Sequence, residues 1–289
     1  MTDSTAPKLT YRQMCHNGAV ILADAGITDA EYDSFALLEY ITGMDRTAYI
    51  LNGSKSVPED IAERYDAVID RRSSHIPLQH ITGQAWFYGR GFNVNSDVLV
   101  PRQDTEVLVS EALKVINAKD SVLDMCTGSG CIIITLALEK KLGRALGADI
   151  SEAALKVASG NREKLGADDV TFVKSNIFSD INVNDDELFD VIVSNPPYIA
   201  TREIETLTEE VRIHDPYIAL DGLEDGLHFY REITRQSQNY LKSGGWLLYE
   251  IGCTQAHDVS DIMSEYGYSN IKVIKDLAGL DRVVMGQRL

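Results

Sequence analysis

Short apolar runs and helical segments alternate from about residue 105 to residue 289, and this alternation constrains the fold more than any other feature. Strands are predicted at 121–126, 144–149, 170–175, 190–194, 245–251, 270–275 and 282–287. Helices are predicted between them at 130–141, from a cap at Ser151 to Leu165, and at 227–241. Such alternation is typical of an α/β fold, in which helices cover both faces of a mostly parallel sheet. Ligands bind these sheets at the carboxyl ends of the strands, so we expect a site there.

The first 75 residues predict instead a small all-helical domain. Helices are predicted from Tyr11 to Ala25, from a capping-box sequence at Thr28 to Gly43, and after a second such sequence at Ser56. Residues 76–100 predict a β-hairpin linker with a glycine-containing turn, and residues 101–289 the sheet domain. The aromatic hairpin could alternatively form a wall over a ligand.

Charge narrows the classes of partner. The 289 residues include 27 Lys and Arg against 44 Asp and Glu, a net charge of −17, which disfavours binding to duplex DNA. The four cysteines are scattered, without a CxxC pair or a nearby histidine cluster, so neither a metal site nor a disulfide framework is expected. No apolar run reaches the ~18 residues that span a membrane, and the polar start lacks a signal peptide; a cytoplasmic location is expected.

A glycine-rich segment follows the first strand of the predicted sheet. No lysine follows it as in a phosphate-binding Walker loop, and Ile133 stands where a dinucleotide-binding sequence has its third glycine. Asp149 ends the second strand, where a carboxylate is well placed to accept hydrogen bonds from ribose hydroxyls. A nucleoside-containing ligand is therefore predicted on Asp149 and on the segment Cys126, Thr127, Gly128, Ser129 and Gly130.

The loop after the third strand would face the base of that nucleoside. Asn176 could hydrogen-bond an adenine amino group, and Ile177 could pack on the ring. A polar turn residue followed by a core residue is an equally good interpretation of this pair when it is taken alone.

The tetrapeptide Asn195-Pro196-Pro197-Tyr198 directly follows the fourth strand. The prolines lock the backbone and hold Asn195 extended, so its side-chain oxygen and the Pro196 carbonyl can converge on one amino group. Tyr198 offers an aromatic face to a planar group. Because the lone pair of an amide nitrogen is delocalised, holding both of its hydrogens would assist attack on an electrophile. The alternative is a structural turn with Tyr198 in the core.

These motifs together resemble the peptide chain release factor N5-glutamine methyltransferases, the PrmC/HemK family. The resemblance covers nearly the whole chain and rests on residues 77–83, 100–106, 124–130, 195–198, 225–227, 250–252 and 276–284. It implies a seven-stranded Rossmann-like methyltransferase domain preceded by a helical domain that recognises the substrate. Cys126 stands where the family usually has glycine, and Asn176 where aspartate is common.

The resemblance also implies the chemistry. The cofactor would be S-adenosylmethionine, with S-adenosylhomocysteine as product and no metal, and it would contact Asn195 as well as the residues predicted above. Asn195, Pro196 and Tyr198 would be the catalytic residues, with Pro197 completing the substrate pocket. The substrate would be the glutamine of the Gly-Gly-Gln motif of class 1 release factors.

Three alternatives remain open on the sequence. A sister enzyme methylates a glutamine of a large-subunit ribosomal protein and has a similar glycine-rich loop. DNA adenine methyltransferases use the same tetrapeptide on a flipped base, although the charge of −17 disfavours one here. A non-catalytic adaptor with a methyltransferase-like domain is the third.

Overall fold

The computed structural model describes residues 9–184 and 187–289. The chain forms two compact units, Met1–Gly83 and Gln84–Leu289. The sequence-predicted linker, 76–100, spans the boundary between them, and the three-part division stays a prediction.

The first unit is helical. Its helices are α1 (Tyr11–Asp24), α2 (Ala30–Thr42), α3 (Arg46–Asn52), α4 (Glu59–Ser73) and α5 (Leu78–Thr82). Tyr65, Val68 and Ile69 form a buried apolar face on α4. The Tyr65 hydroxyl lies 2.8 Å from the hydroxyl of Ser34 on α2, so these two buried groups are satisfied within the unit.

The two predicted capping boxes of this unit are wrong, although the helices predicted from them are present. The residue before α2 is Asp29 and the residue before α4 is Pro58, and neither makes a side-chain cap. The capping box lies at the start of α1, where Thr10 and Gln13 exchange hydrogen bonds. The short helices α3 and α5 were not predicted, because segments this short carry little periodicity.

The second unit contains a hairpin and a seven-stranded sheet, which confirms the predicted fold class. The hairpin pairs β1 (Gln84–Phe87) with β2 (Arg90–Asn93). The sheet contains β3 (Ser121–Met125), β4 (Arg144–Asp149), β5 (Val170–Lys174), β6 (Phe189–Ser194), β7 (Leu241–Glu250), β8 (Tyr268–Lys275) and β9 (Asp281–Arg288). The strand order is β5-β4-β3-β6-β7-β9-β8; the first five strands of this order are parallel, and β9 is antiparallel to both of its neighbours.

Helices accompany this sheet. They are α6 (Thr105–Val115), α7 (Cys131–Glu139), α8 (Glu152–Leu165), α9 (Thr201–Ile204), α10 (Glu209–His214), α11 (Tyr217–Leu220), α12 (His228–Ser237) and α13 (Ala256–Glu265). Two apolar cores form around alternate strand residues: Leu247 and Tyr249 contribute to one, and Leu248 to the other. Helices α6 and α13 and the short helices after β6 were not predicted.

The hairpin packs on the same unit. Ala85, Val94, Val98 and Val100 form a small apolar cluster with Ala154 of α8. Ser151 caps α8 by accepting a hydrogen bond from the backbone N–H of Ala154, as the sequence predicted. The hairpin and the segment that follows it therefore pack on the helix that follows β4.

Candidate functional site

A cavity of about 190 Å³ lies at the carboxyl ends of β3, β4, β5 and β6. Nine of the sequence-predicted site residues line it: Cys126, Thr127, Gly128, Ser129, Asp149, Asn176, Ile177, Asn195 and Pro197. Gly130, Pro196 and Tyr198 are not among its lining residues. The fold thus brings the glycine-rich loop, the carboxylate and the tetrapeptide to one cavity, although each comes from a separate part of the sequence.

The glycine-rich loop has a left-handed backbone at Cys126, with φ of 62°, and at Gly128, with φ of 53°. A positive φ costs an L-residue about 1–2 kcal/mol, which explains the usual glycine at the position of Cys126. Thr127 ties the loop to β3, because its hydroxyl donates to the Asp124 carboxylate at 2.6 Å. Its backbone amides are thereby fixed beside the cavity.

Gly130 serves packing in this loop. Its φ is 79°, and a Cβ atom built there would lie 2.9 Å from Cδ1 of Ile134 and 3.1 Å from Cβ of Ala158. A side chain at this position would crowd α7 and α8. Its contribution to the site is the close approach of the loop to these helices.

Asp149 ends β4 with both carboxylate oxygens engaged by backbone. One accepts from the N–H of Gly128 and the other from the N–H of Ser151, each at 2.9 Å. Each oxygen can accept a second hydrogen bond, so two hydroxyl groups of a ribose fit this carboxylate. Burial raises its pKa, while the backbone donors oppose that rise.

The pair after β5 forms a tight turn. Ile177 has a positive φ of 54°, and the Ser175 hydroxyl donates to its carbonyl oxygen at 2.7 Å. The Asn176 backbone N–H donates to the Ser179 hydroxyl, and residue Asn176 is exposed and lines the cavity. The turn brings an amide group and an apolar side chain to the same wall.

The tetrapeptide after β6 is held on both sides. The Ser194 hydroxyl donates to the carbonyl of Met125 at 2.7 Å, which ties the end of β6 to the end of β3. The carbonyl of Tyr198 accepts from Nε2 of Gln255 at 2.9 Å, and a Cβ atom on Gly226 would lie 2.4 Å from that carbonyl. Glycine is therefore required in the segment 225–227, and the backbone of the tetrapeptide is fixed.

Sequence reasoning missed several lining residues. Thr105, at the start of α6, Phe229 on α12, and the segment 97–102 all line the cavity. Arg102 forms an ion pair with buried Asp215 at 3.0 Å, which joins this segment to the loop before α11. The motifs at 100–106 and 225–227 were the available signal, but a motif alone does not show what its residues face.

Glu250, at the end of β7, is a further buried carboxyl group that was not predicted as a site residue. It is 2% exposed, and burial raises its pKa to about 7. The guanidinium of Arg282 and the side chains of Thr105 and Asn195 partly offset that rise. Glu250 is not among the lining residues, and its carboxyl group interacts with the side chain of Asn195.

The structure adds two findings about residues 9–184 and 187–289. In these ranges no group of three or more His, Cys, Asp or Glu side chains is arranged to hold a metal ion. The same ranges contain no helix with the length and apolarity needed to cross a membrane.

Comparisons with known proteins show which families the chain resembles. A family model described as the PrmC N-terminal domain matches residues 13–83, and a methyltransferase domain model matches residues 116–273. A methyltransferase from Pyrococcus furiosus shares the fold, with a TM-score of 0.54 at 17% identity over 76% of this chain and 98% of that one.

Sequence relatives specify the family. The release factor glutamine methyltransferase of Geobacter sulfurreducens is 40% identical over 92% of this chain and 92% of its own length. That of Clostridium acetobutylicum is 40% identical over 89% of this chain and 90% of its own. The chain is a methyltransferase and belongs to the family of release factor glutamine methyltransferases.

Proposed function

We propose that the protein transfers a methyl group from S-adenosylmethionine to the side-chain amide nitrogen, N5, of the glutamine in the Gly-Gly-Gln motif of class 1 release factors. The observation that carries the proposal is the single cavity shared by the glycine-rich loop, Asp149 and Asn195. The names of the relatives supply the substrate class. Because release factors act in translation, we propose that the reaction takes place in the cytoplasm.

The residues of the cavity fit the proposed cofactor. The free lone pairs of the Asp149 carboxylate suit the ribose hydroxyls, and the turn at Asn176 and Ile177 suits the adenine. When bound, S-adenosylmethionine supplies an electrophilic methyl group on a sulfonium sulfur. We place its methyl end toward Asn195, which lines the cavity beside the loop.

The proposed catalytic contribution of the chain is orientation. The side-chain oxygen of Asn195 and the carbonyl oxygen of Pro196 would accept the two hydrogens of the glutamine –NH₂ group, with Tyr198 and Pro197 beside its plane. Two acceptors stabilise the positive charge that develops on this nitrogen as its bond to the methyl group forms. The amide then loses one proton, which gives the N-methylated amide and S-adenosylhomocysteine.

Tyr198 does not act as the base in this proposal. Burial and the nearby carboxyl of Glu250 raise its phenol pKa above the usual value, so the phenol stays neutral. The proton becomes acidic once the nitrogen carries the methyl group, and solvent can accept it.

We also propose that the helical unit recognises the release factor. Tyr32, Ile50 and Leu51 are exposed on its helices, with exposed fractions of 62%, 69% and 73%. The family model described as the PrmC N-terminal domain matches this unit, and we propose these side chains as its contacts with the release factor.

The test is mass spectrometry of the Gly-Gly-Gln peptide after an unmodified release factor is incubated with the protein and S-adenosylmethionine. We expect one added methyl group on the glutamine, and at least a roughly 100-fold lower rate for Asn195→Ala, as for loss of one preorganised polar group. Asn239→Ala is the control, since Asn239 is exposed and does not line the cavity.

Two results would contradict the proposal. Methylation of a ribosomal protein or of DNA in place of the release factor would assign another substrate. Unchanged turnover by Asn195→Ala would remove the tetrapeptide from the mechanism.

A further inference from the structure

The relation between Glu250 and Asn195 follows from the pairing of β6 with β7. These parallel strands place Ser194 opposite Tyr249, so the next residues, Asn195 and Glu250, lie side by side at the carboxyl ends of β6 and β7. Successive residues of a strand point to opposite faces. Val193 and Leu248 contribute to the core that contains Leu108 of α6, so Asn195 and Glu250 emerge on that same face.

The surroundings of Glu250 favour a hydrogen bond between its carboxyl group and the side chain of Asn195. Its backbone carbonyl accepts from the Tyr230 hydroxyl at 2.9 Å, which fixes the main chain. Among the residues that the structure describes, its Oε2 atom is buried without a hydrogen-bond partner. A buried carboxylate oxygen is costly to leave unpaired, so a small rotation that brings a neighbouring donor to it is favoured. The neighbouring donors are the side chains of Asn195 and Thr105.

An asparagine side chain carries an acceptor, Oδ1, and a donor, Nδ2, and a 180° rotation about χ2 exchanges their positions. The proposed reaction requires the acceptor, Oδ1, to face the substrate. A carboxylate can only accept hydrogen bonds, so behind Asn195 it selects the orientation with Nδ2 inward and Oδ1 outward. We propose that Glu250 is a positioning residue whose carboxylate accepts from Nδ2 of Asn195 and thereby holds Oδ1 toward the cavity.

This inference rests on the proposed function and predicts an acid limb in the rate profile. When Glu250 is protonated, its O–H can donate to Oδ1 of Asn195, and the selection is lost. Because the pKa of Glu250 is raised to about 7, kcat falls as pH drops through that value. The other titratable or charged groups whose charge interacts with Glu250 are Arg282, Asp104, Tyr198, Tyr230 and Cys131.

The test compares the wild type with Glu250→Gln in methyl transfer to the release factor between pH 6 and pH 9. Glutamine has a donor as well as an acceptor, so we expect kcat to fall about tenfold, equivalent to ~1.4 kcal/mol in the barrier. We expect both KM values to stay within about twofold and the acid limb to disappear. Wild-type kcat with the limb retained would overturn the proposal.

The control is Asp104→Asn. Asp104 pairs with Arg282 at 3.2 Å, and its negative charge raises the pKa of Glu250. We expect this variant to keep the alkaline kcat and to move the acid limb to lower pH. An unmoved limb would show that another group produces it, which would overturn the assignment to Glu250.

A second measurement needs no Glu250 variant and no activity. The Asn195 side-chain amide resonances, assigned by their loss in Asn195→Ala, should shift with pH with a midpoint near 7 in the wild type. Amide resonances that do not titrate would refute the contact. An enzyme inactive on release factors would refute the proposed function and leave this titration as the test of the inference.

Discussion

Asn161 connects the hairpin to the glycine-rich loop, and its replacement tests how the cavity is supported. This α8 residue is fully buried and makes three hydrogen bonds. Its Nδ2 group donates to the carbonyl oxygens of Ser129 at 2.9 Å and Asn93 at 3.0 Å, and its Oδ1 accepts from the N–H of Asn93 at 2.7 Å. Asn161→Ala removes all three and leaves the buried Ser129 carbonyl without this donor.

The magnitude follows from these contacts. A hydrogen bond contributes about 1 kcal/mol net, so the variant loses about 3 kcal/mol in the free energy of unfolding. For a domain the size of the second unit, each kcal/mol corresponds to about 2–4 °C, so Tm falls by about 6–12 °C. Because Ser129 lines the cavity, the affinity for S-adenosylmethionine falls as well.

Differential scanning calorimetry of the full chain, with and without S-adenosylmethionine, measures both effects. The matched control is Lys164→Ala, because Lys164 lies on the same helix and contacts the same residue, donating to Oδ1 of Asn93 at 2.7 Å. Lys164 is exposed, so its loss costs at most about 0.5 kcal/mol. If Asn161→Ala lowers Tm no more than this control does, the buried amide does not support the loop.

Three further predictions concern the same edge of the sheet. Asp149→Ala should weaken S-adenosylmethionine binding by about 1.5–3 kcal/mol in calorimetry, the value of hydrogen bonds to a charged group, and wild-type affinity would remove Asp149 from the site. Gly130→Ala should destabilise more than Gly166→Ala in urea unfolding, because both have a positive φ but only the first Cβ meets atoms within 4 Å; equal losses would contradict the packing argument. Burial raises the pKa of Asp124 to about 7, so the folded state favours the protonated carboxyl group. The stability of the wild type relative to Asp124→Asn is therefore greatest below the unfolded-state pKa, ~3.9, and this advantage is lost as pH rises through 7. A Tm difference between the two proteins that does not depend on pH would exclude this effect.

Much of the fold could be predicted because it is recorded in local patterns. The strand at Arg144–Asp149 and the helix ending at Leu165 have the predicted bounds, since apolar runs and a serine cap are local signals. The capping boxes at Thr28 and Ser56 failed because each helix begins two or three residues beyond the proposed cap. Several short helices and α13 were missed because their signals are weak or brief.

The candidate site was also predictable only in part from local patterns. The sequence alone determined the residue types at each strand end: a glycine-rich turn at 126–130, Asp149, and the tetrapeptide beginning at Asn195. These signals are short, and a resemblance to a family reinforces them. They predict a ligand edge because parallel strands end on one side of the sheet.

Only the tertiary structure decided which side chains stand together. Strand order sets β6 beside β7, and the alternation of side chains then puts Glu250 behind Asn195, although 54 residues separate them in the chain. Likewise, Asn161 reaches Ser129 and Asn93 because α8 packs between the loop and the hairpin. Burial raises the pKa of Glu250 to about 7, and no local pattern contains that information, because burial depends on elements distant in the sequence.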